Sequence, residues 1–421
     1  MAAITAPRTW VGPSMTRQRV MGLVFLGLAF AIWILFGRTS SGDQVTVFNL
    51  SPGASTVIVP DWHLPTLTTL YVLALVSAVL GGVQLARGFG QWTNRVLGVV
   101  AGLFVFGFLV WAAAGKSLNL AGLLATSLSR AVPLTLGALS GVLCERAGVV
   151  NIAIEGMMLT GAMMGSLVGS LTHSLWIGLA AAVLSGLLLS LVHGILSIKY
   201  KTNQIISGTV INILATGLTS YISAKFLQNY EQLNNPGIFP PWPIPGLSQI
   251  PVLGPILFNS TMFVYAMFLF LVVIHVGLFF TRWGLRLRSV GEHPKAADTL
   301  GINVFRTRYM SVMLGGMMAG FAGGYFTLGS VGRFDEVMTA GRGFISLAAM
   351  IFGNWTPFGS FGAGLLFGFA DSLASKLAIL GIQIPSQFLL MAPYVATMIV
   401  LAGVVGRGQM PAADGVPYEK E

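Results

Sequence analysis

Of 421 residues, 55% are hydrophobic and only 9% charged, with a mean hydropathy of +0.80 and a net charge of +10. A soluble domain carries roughly 25% charged residues, so a water-soluble globule is excluded. The basic excess does not call for nucleic acid, because Lys and Arg gather in the cytoplasmic loops of membrane proteins.

A helix crosses a bilayer with about 20 apolar residues. Such runs predict spans over 20–36, 66–86, 96–114, 120–143, 150–171, 174–197, 205–224, 262–280, 308–330, 343–356, 359–380 and 388–406. The run 343–356 is short enough to be a re-entrant half-helix. The alternating segments of a membrane barrel are not seen, nor any strand. The expected fold is therefore all-α, a polytopic bundle of about ten to twelve crossings, since lipid offers no partner to open backbone groups.

The first run follows Arg17 and Arg19 with no small-residue cleavage site after it, so it reads as an uncleaved span. Residues 1–115 form an extension with three spans, 116–410 a core, and 411–421, "PAADGVPYEKE", a flexible polar tail. Threading the spans with the N-terminus inside puts most basic residues in the cytoplasm and both termini with them. The longest outer loop, 225–261, contains "NNPGIFPPWPIPGLSQIPVLGP"; its prolines argue against regular helix and for an extended cap.

Several motifs have an ordinary reading. Glycines at four-residue spacing (161, 165 and 169; 316, 320 and 324; 364 and 368) mark close helix packing, or faces able to slide. Gly115–Lys116–Ser117 lacks the preceding glycine of a phosphate loop, because Val110 stands there. The five histidines show no metal-ligand spacing, and His173, His193 and His275 suit satisfied packing roles. The one cysteine, Cys144, rules out an internal disulfide and reads as a small apolar residue. No nucleophile–base constellation emerges. The sequence calls for no catalytic residue, metal or cofactor, and the chain is not expected to be an enzyme.

Charges inside spans are expensive, roughly 2.5 kcal/mol or more at a helix centre, and so mark pathways by default. Arg130, Glu155, Asp371 and Lys376 are such residues. Asp371 and Lys376, five apart, are poorly spaced for pairing on one helix. In "CERAGVVNIAIEGMMLTGAMMG", residues 144–165, Gly148 breaks the chain and Asn151 then enters the membrane with Glu155 four residues later, on the same helix face. A plain helix start capped by Asn151 is the competing reading. "NQIISGTVIN", 203–212, adds Asn203, Gln204, Ser207 and Asn212. Neutral amides and hydroxyls at an interrupted helix suit a neutral polar solute.

"RSVGEHPKAADTLGINVFRTR", 288–308, is charged where its surroundings are apolar. Pro294 suits a first helical turn, and Ala296, Ala297 and Leu300 share a face. Gly301 can close the helix in the left-handed conformation. Arginines 282, 286 and 288 precede it, and 306 and 308 follow. Such a rod, of ~10 Å, is too short to cross and is shaped to enter a groove on another protein; a solvated loop helix is the alternative.

"GEHPKAADTLGI", 291–302, resembles the cytoplasmic coupling segment of bacterial ATP-binding-cassette import permeases. "ERAGVVNIAIEGMMLTGA", 145–162, and "GSVGRFDEVMTAGRGFISLAAMIFGNWTPFGSFGAGLLFGFADSL", 329–373, are similar to the branch handling nucleosides and simple sugars. The similarity runs from about 117 to 410. It implies a permease subunit in a bacterial cytoplasmic membrane that imports nucleosides by alternating access. It also implies cytoplasmic ATP-binding subunits, a second related permease and an extracytoplasmic solute-binding lipoprotein. By this resemblance Gly291, Glu292, Pro294, Ala296, Ala297 and Gly301 form the coupling helix, 291–301, and Asn151, Glu155 and Asn212 lie near the solute route. The receptor would dock on outer loops that include Arg333, Asp335 and Glu336. A ribose-like sugar is the alternative solute. Outside the resemblance stand an ion-coupled secondary transporter, which needs paired broken helices, and a membrane scaffold.

Overall fold

The structure, a computed structural model, describes residues 15–51, 58–381, 387–388, 391 and 410–420. They form two compact units: Met1–Gly122 with Leu377–Ile382, and Leu123–Lys376 with Gln383–Glu421.

In the first unit, α1 (Met15–Ala31) continues through a π-helical turn at Ile32–Gly37 and is followed by strands β1 (Val45–Asn49) and β2 (Trp62–Pro65). Then come α2 (Thr66–Ala86), α3 (Thr93–Ala112) and β3 (Ser117–Asn119). The expectation of no strands is corrected here. β1 pairs antiparallel with β2, Val47 opposite His63, and parallel with β3, Phe48 opposite Leu118. Each strand is three to five residues long, too short for a periodic signal; only the return of the chain to one place pairs them. The buried Thr46 hydroxyl ties this sheet to the helices, 2.8 Å from both Thr66 Oγ1 and the Val110 carbonyl.

The second unit is almost wholly helical. Its order is α4 (Leu120–Glu145, whose first residues belong to the first unit), α5 (Ile154–Thr172), α6 (Leu175–Gly194) and α7 (Gln204–Ile222). After β4 (Trp242–Pro243), α8 (Leu253–Leu257) and β5 (Asn259–Ser260) come α9 (Met262–Phe280), α10 (Arg282–Glu292) and α11 (Pro294–Thr299). The order closes with α12 (Val304–Phe326), α13 (Arg342–Phe352) and α14 (Pro357–Ile379). The long loop does hold short regular pieces, the β4–β5 pair, two 3-10 turns and the five-residue α8. Its Pro255 stands in the first turn, where no N–H is needed.

The glycine rows are packing faces. A Cβ on Gly161 would lie 2.7 Å from the Gly320 carbonyl, and one on Gly186 would collide with the Gly316 carbonyl, so α12 lies directly on α5 and α6. On α14, a Cβ at Gly368 would lie 2.6 Å from the Ser127 carbonyl of α4. Among the described residues ten helices are long and apolar enough to cross a membrane. The predicted run 343–356 is α13, 11 residues, or about 16 Å at 1.5 Å per residue, half a bilayer core. The last predicted span, 388–406, lies almost entirely outside the described residues.

Candidate functional site

Three groups of polar side chains organise the second unit. The first surrounds the start of α5. Beyond Glu145 the chain leaves the helix, turns at Gly148 (φ +82°) and re-enters at Ile154. Asn151 therefore precedes the helix, and does not share a helical face with Glu155. It is fully buried; its Oδ1 accepts from Ala153 N at 3.2 Å and its Nδ2 faces Cys144 Sγ at 3.4 Å. Asn212, on α7, accepts from Gly156 N and donates to the Ile152 carbonyl, both at 2.8 Å. Glu155 receives Thr339 Oγ1 (2.6 Å), Gly341 N (2.8 Å) and Gly343 N (2.6 Å). These are the donors at the start of α13, which an anionic side chain satisfies and stabilises. The sequence sends all three residues to a solute path. The structure does gather them, but with most of their hydrogen bonds directed to backbone.

His193 completes this brace. Its Nε2 donates to the Val150 carbonyl at 2.9 Å, and its Nδ1 lies 3.1 Å from Ser207 Oγ. Gln204 Oε1 accepts from Val150 N at 2.7 Å. At the far end of α13 the chain turns through Asn354 and Trp355, both at positive φ. There Trp355 Nε1 donates to Glu145 at 2.6 Å, and Arg146 Nε donates to the Trp355 carbonyl at 2.9 Å. The half-helix is thus pinned at both ends to the break between α4 and α5.

The second group lies on α4, α13 and α14. Arg130 Nη1 is 3.0 Å from Asp371 Oδ1, and Arg342 Nη2 is 3.8 Å from Asp371 Oδ2. Asp371 thus finds a cation on another helix, α4. Arg342 also lies over the Phe326 ring at 5.6 Å. Sequence reasoning found Arg130 and Asp371 but placed Arg342 in the outer loop. Its signal was the shortness of the run 343–356: a half-helix must start at depth, and its first residue goes in with it.

The third group is the charged segment. Thr281 Oγ1 accepts from Gly284 N at 3.2 Å and starts α10, a helix the sequence did not announce. The chain then breaks at His293, whose Nδ1 accepts from Ala296 N at 3.1 Å and caps α11. Pro294 opens α11, and Gly301 follows it at φ +82°. Within the expected coupling residues, orientation divides the set. Gly291 is buried, with no room for a Cβ against the Arg146 carbonyl. Ala297 is buried too, clustered with Val290, Val304 and Tyr418. Pro294 is half-buried; Glu292, Ala296, Gly301 and Leu300 are exposed, Leu300 to 82%. Ala297 therefore faces its own chain, and the outward face is Ala296 with Leu300.

The tail expected to be free is packed against this segment. Ala413 N donates to the Gly291 carbonyl at 2.9 Å, and Ala412 N to Glu292 Oε2 at 3.3 Å. Arg308, fully buried, donates to the Val416 carbonyl at 3.0 Å. Tyr418 packs on Phe305 with ring centroids 5.4 Å apart, and Glu419 pairs with Lys201 at 2.6 Å. Asp414 lies against Glu145, and burial pushes its carboxyl up to about 7 despite that hydrogen bond and the nearby Arg308. A proton shared by the pair keeps two adjacent carboxyls from both being charged. A polar composition concealed this docking, because the buried apolar residues of the tail, Pro411, Ala413 and Tyr418, are scattered among polar ones. On the loop after α12, Arg333 and Asp335 are exposed and paired at 3.1 Å, and Glu336 is exposed. Among the described residues no group of three or more His, Cys, Asp or Glu could hold a metal ion.

A polytopic bundle with a half-helix braced inside it, an ionic group at depth and a charged elbow at one end is built as a membrane transport subunit. Residues 123–405 match the family described as branched-chain amino acid transport system / permease component, and the chain belongs to that family. The guanosine ABC transporter permease NupQ of Bacillus subtilis is 43% identical over 302 residues, 69% of this chain and 94% of that protein. The nucleoside ABC transporter permease NupC of Lactococcus lactis is 42% identical over 315 residues, 71% and 96%. A putative glucose ABC transporter permease of Haloferax volcanii, TsgC13, is 38% identical over 257 residues, 60% and 77%. No solved structure matches. The family match begins where the second unit begins, at Leu123.

Proposed function

We propose that the chain is the membrane permease of an ATP-driven importer and carries nucleosides by alternating access. Separate ATP-binding subunits, a second permease and an extracytoplasmic receptor complete the machine, and both termini face the cytoplasm. The observation that carries the nucleoside reading is the similarity to NupQ and NupC along almost their whole length. The glucose permease relative keeps a sugar as the second reading, at lower identity and coverage.

The coupling role of α11 is supported by its form. A short helix is held by its own chain on one side, through Ala297 and through Gly291 at the end of α10, and presents Ala296, with Leu300 just past its end, on the other. An isolated leucine open to 82% on a charged elbow suits an apolar groove on a partner. Asn151, Glu155 and Asn212 act on the route indirectly, by setting the position of α5 and α13. The test is Leu300→Asp in the reconstituted complex. Guanosine-stimulated ATP hydrolysis is expected to fall at least ~10-fold, as for loss of an interface anchor, with receptor docking intact. Unchanged stimulation would remove α11 from the coupling role. Uptake that ribose or glucose saturates and guanosine does not would replace the nucleoside reading with the sugar one.

A further inference from the structure

The ionic group of Arg130, Asp371 and Arg342 sits at an unusual place. Arg130 lies about 15 Å into α4 and Asp371 about 21 Å into α14, at 1.5 Å per residue, so neither is near a helix end. Arg342 begins the half-helix α13. From Ala131 to Glu145 every residue of α4 is buried. At the triad the bundle opens, and the three side chains are 31%, 33% and 32% exposed.

Three environments could meet that opening. Lipid is excluded by the cost of partly open charges in hydrocarbon. A dry interface is disfavoured as well. Two guanidiniums carry ten N–H donors between them, more than one carboxylate and the Met338 and Thr339 carbonyls that Arg342 Nη1 reaches at 3.5 and 3.3 Å can accept, and the Arg342–Asp371 separation of 3.8 Å is wider than a hydrogen bond. Water, and a polar solute that replaces it, satisfies all three groups.

We propose that Arg130, Asp371 and Arg342 line the aqueous solute route and form a transient site for a purine nucleoside. The inference rests on the nucleoside reading given above. A guanidinium fork matches two adjacent acceptors, the O6 and N7 edge that a guanine base presents. The carboxylate accepts from the vicinal hydroxyls of ribose. The wide Arg342–Asp371 contact is the one a hydroxyl replaces first, because it is the weakest in the group. The glycines of α14 at 364 and 368 hold that helix close to α4, so the triad keeps its geometry while the solute passes.

The test uses the complete transporter in proteoliposomes with guanosine as the probe. Arg130→Lys keeps the charge and removes the fork; Asp371→Asn keeps the shape and removes the anion. Each is expected to lower guanosine uptake per ATP hydrolysed at least ~10-fold, the loss of a bidentate contact, while receptor docking stays as in the parent. The double exchange Arg130→Asp with Asp371→Arg restores an ion pair and is expected to stay deficient in uptake; parental uptake in the exchange would reduce the triad to a structural pair and overturn the site. Ser129→Cys, beside Arg130, reports independently of folding penalties at the charges. A water-soluble maleimide is expected to label it, and guanosine to slow the labelling, while the buried Cys144 stays unreactive. No labelling in any state would overturn the aqueous route. A parent complex that imports no guanosine would instead defeat the nucleoside reading, and the labelling rate of Ser129→Cys without solute would still decide whether the route is wet.

Discussion

The two sets of polar groups within the bundle solve opposite problems. Around the start of α5, Asn151, Glu155 and Asn212 are closed: each turns its side chain onto backbone N–H or C=O groups that a broken helix leaves open, Glu155 also accepting from the Thr339 hydroxyl. On α4, α13 and α14, Arg130, Asp371 and Arg342 are open: they meet one another, Arg342 also reaching the Met338 and Thr339 carbonyls, and leave a third of each side chain uncovered. A polar residue in a span can thus serve the backbone or serve a solute, and residue type does not distinguish them. What distinguishes them is whether unpaired backbone lies within reach. Helix breaks create unpaired backbone, so amides and carboxylates next to a break are captured by it.

The contrast is broken or sharpened by substitutions that separate stability from transport. The largest effect belongs to Glu155→Ala, which strands three buried donors at the start of α13. A loss of about 4 kcal/mol in stability is expected, seen as a lower melting temperature of the purified permease and a loss of folded yield. A parental melting temperature would show that Glu155 is not a brace. Next is Asn212→Ala, which frees Gly156 N and the Ile152 carbonyl together; about 2 kcal/mol is expected in the same measurement. Smallest in stability is Arg130→Lys, at about 1 kcal/mol or less, because half-open ion pairs contribute little. A melting temperature for Arg130→Lys as low as that of Glu155→Ala would erase the difference between the two groups.

Much of the arrangement was legible in the residues. The expected coupling segment was found from charge, Pro294 and Gly301, because those residues act locally on backbone dihedrals and helix starts. The half-helix was legible in the length of 343–356. The partner of Asp371 was not, since nothing in the spacing of α4 and α14 says which faces meet. The inward turn of Ala297 was equally hidden: Ala296 and Ala297 are chemically the same, and Tyr418, which helps bury one of them, lies more than a hundred residues away. The tail was misjudged for the same reason, its attachment being to Gly291, Glu292 and Arg308.

By itself the order of apolar and polar residues determined that the chain lives in a bilayer, roughly where it crosses, and where a charged elbow must stay outside. Those are consequences of the free energy of moving each segment from water to hydrocarbon, a property of the segment alone. The tertiary structure alone decided which intramembrane polar groups are consumed and which remain open. That depends on distances between helices remote in sequence, and a hydrogen bond or ion pair exists only when both partners arrive within about 3 Å of each other.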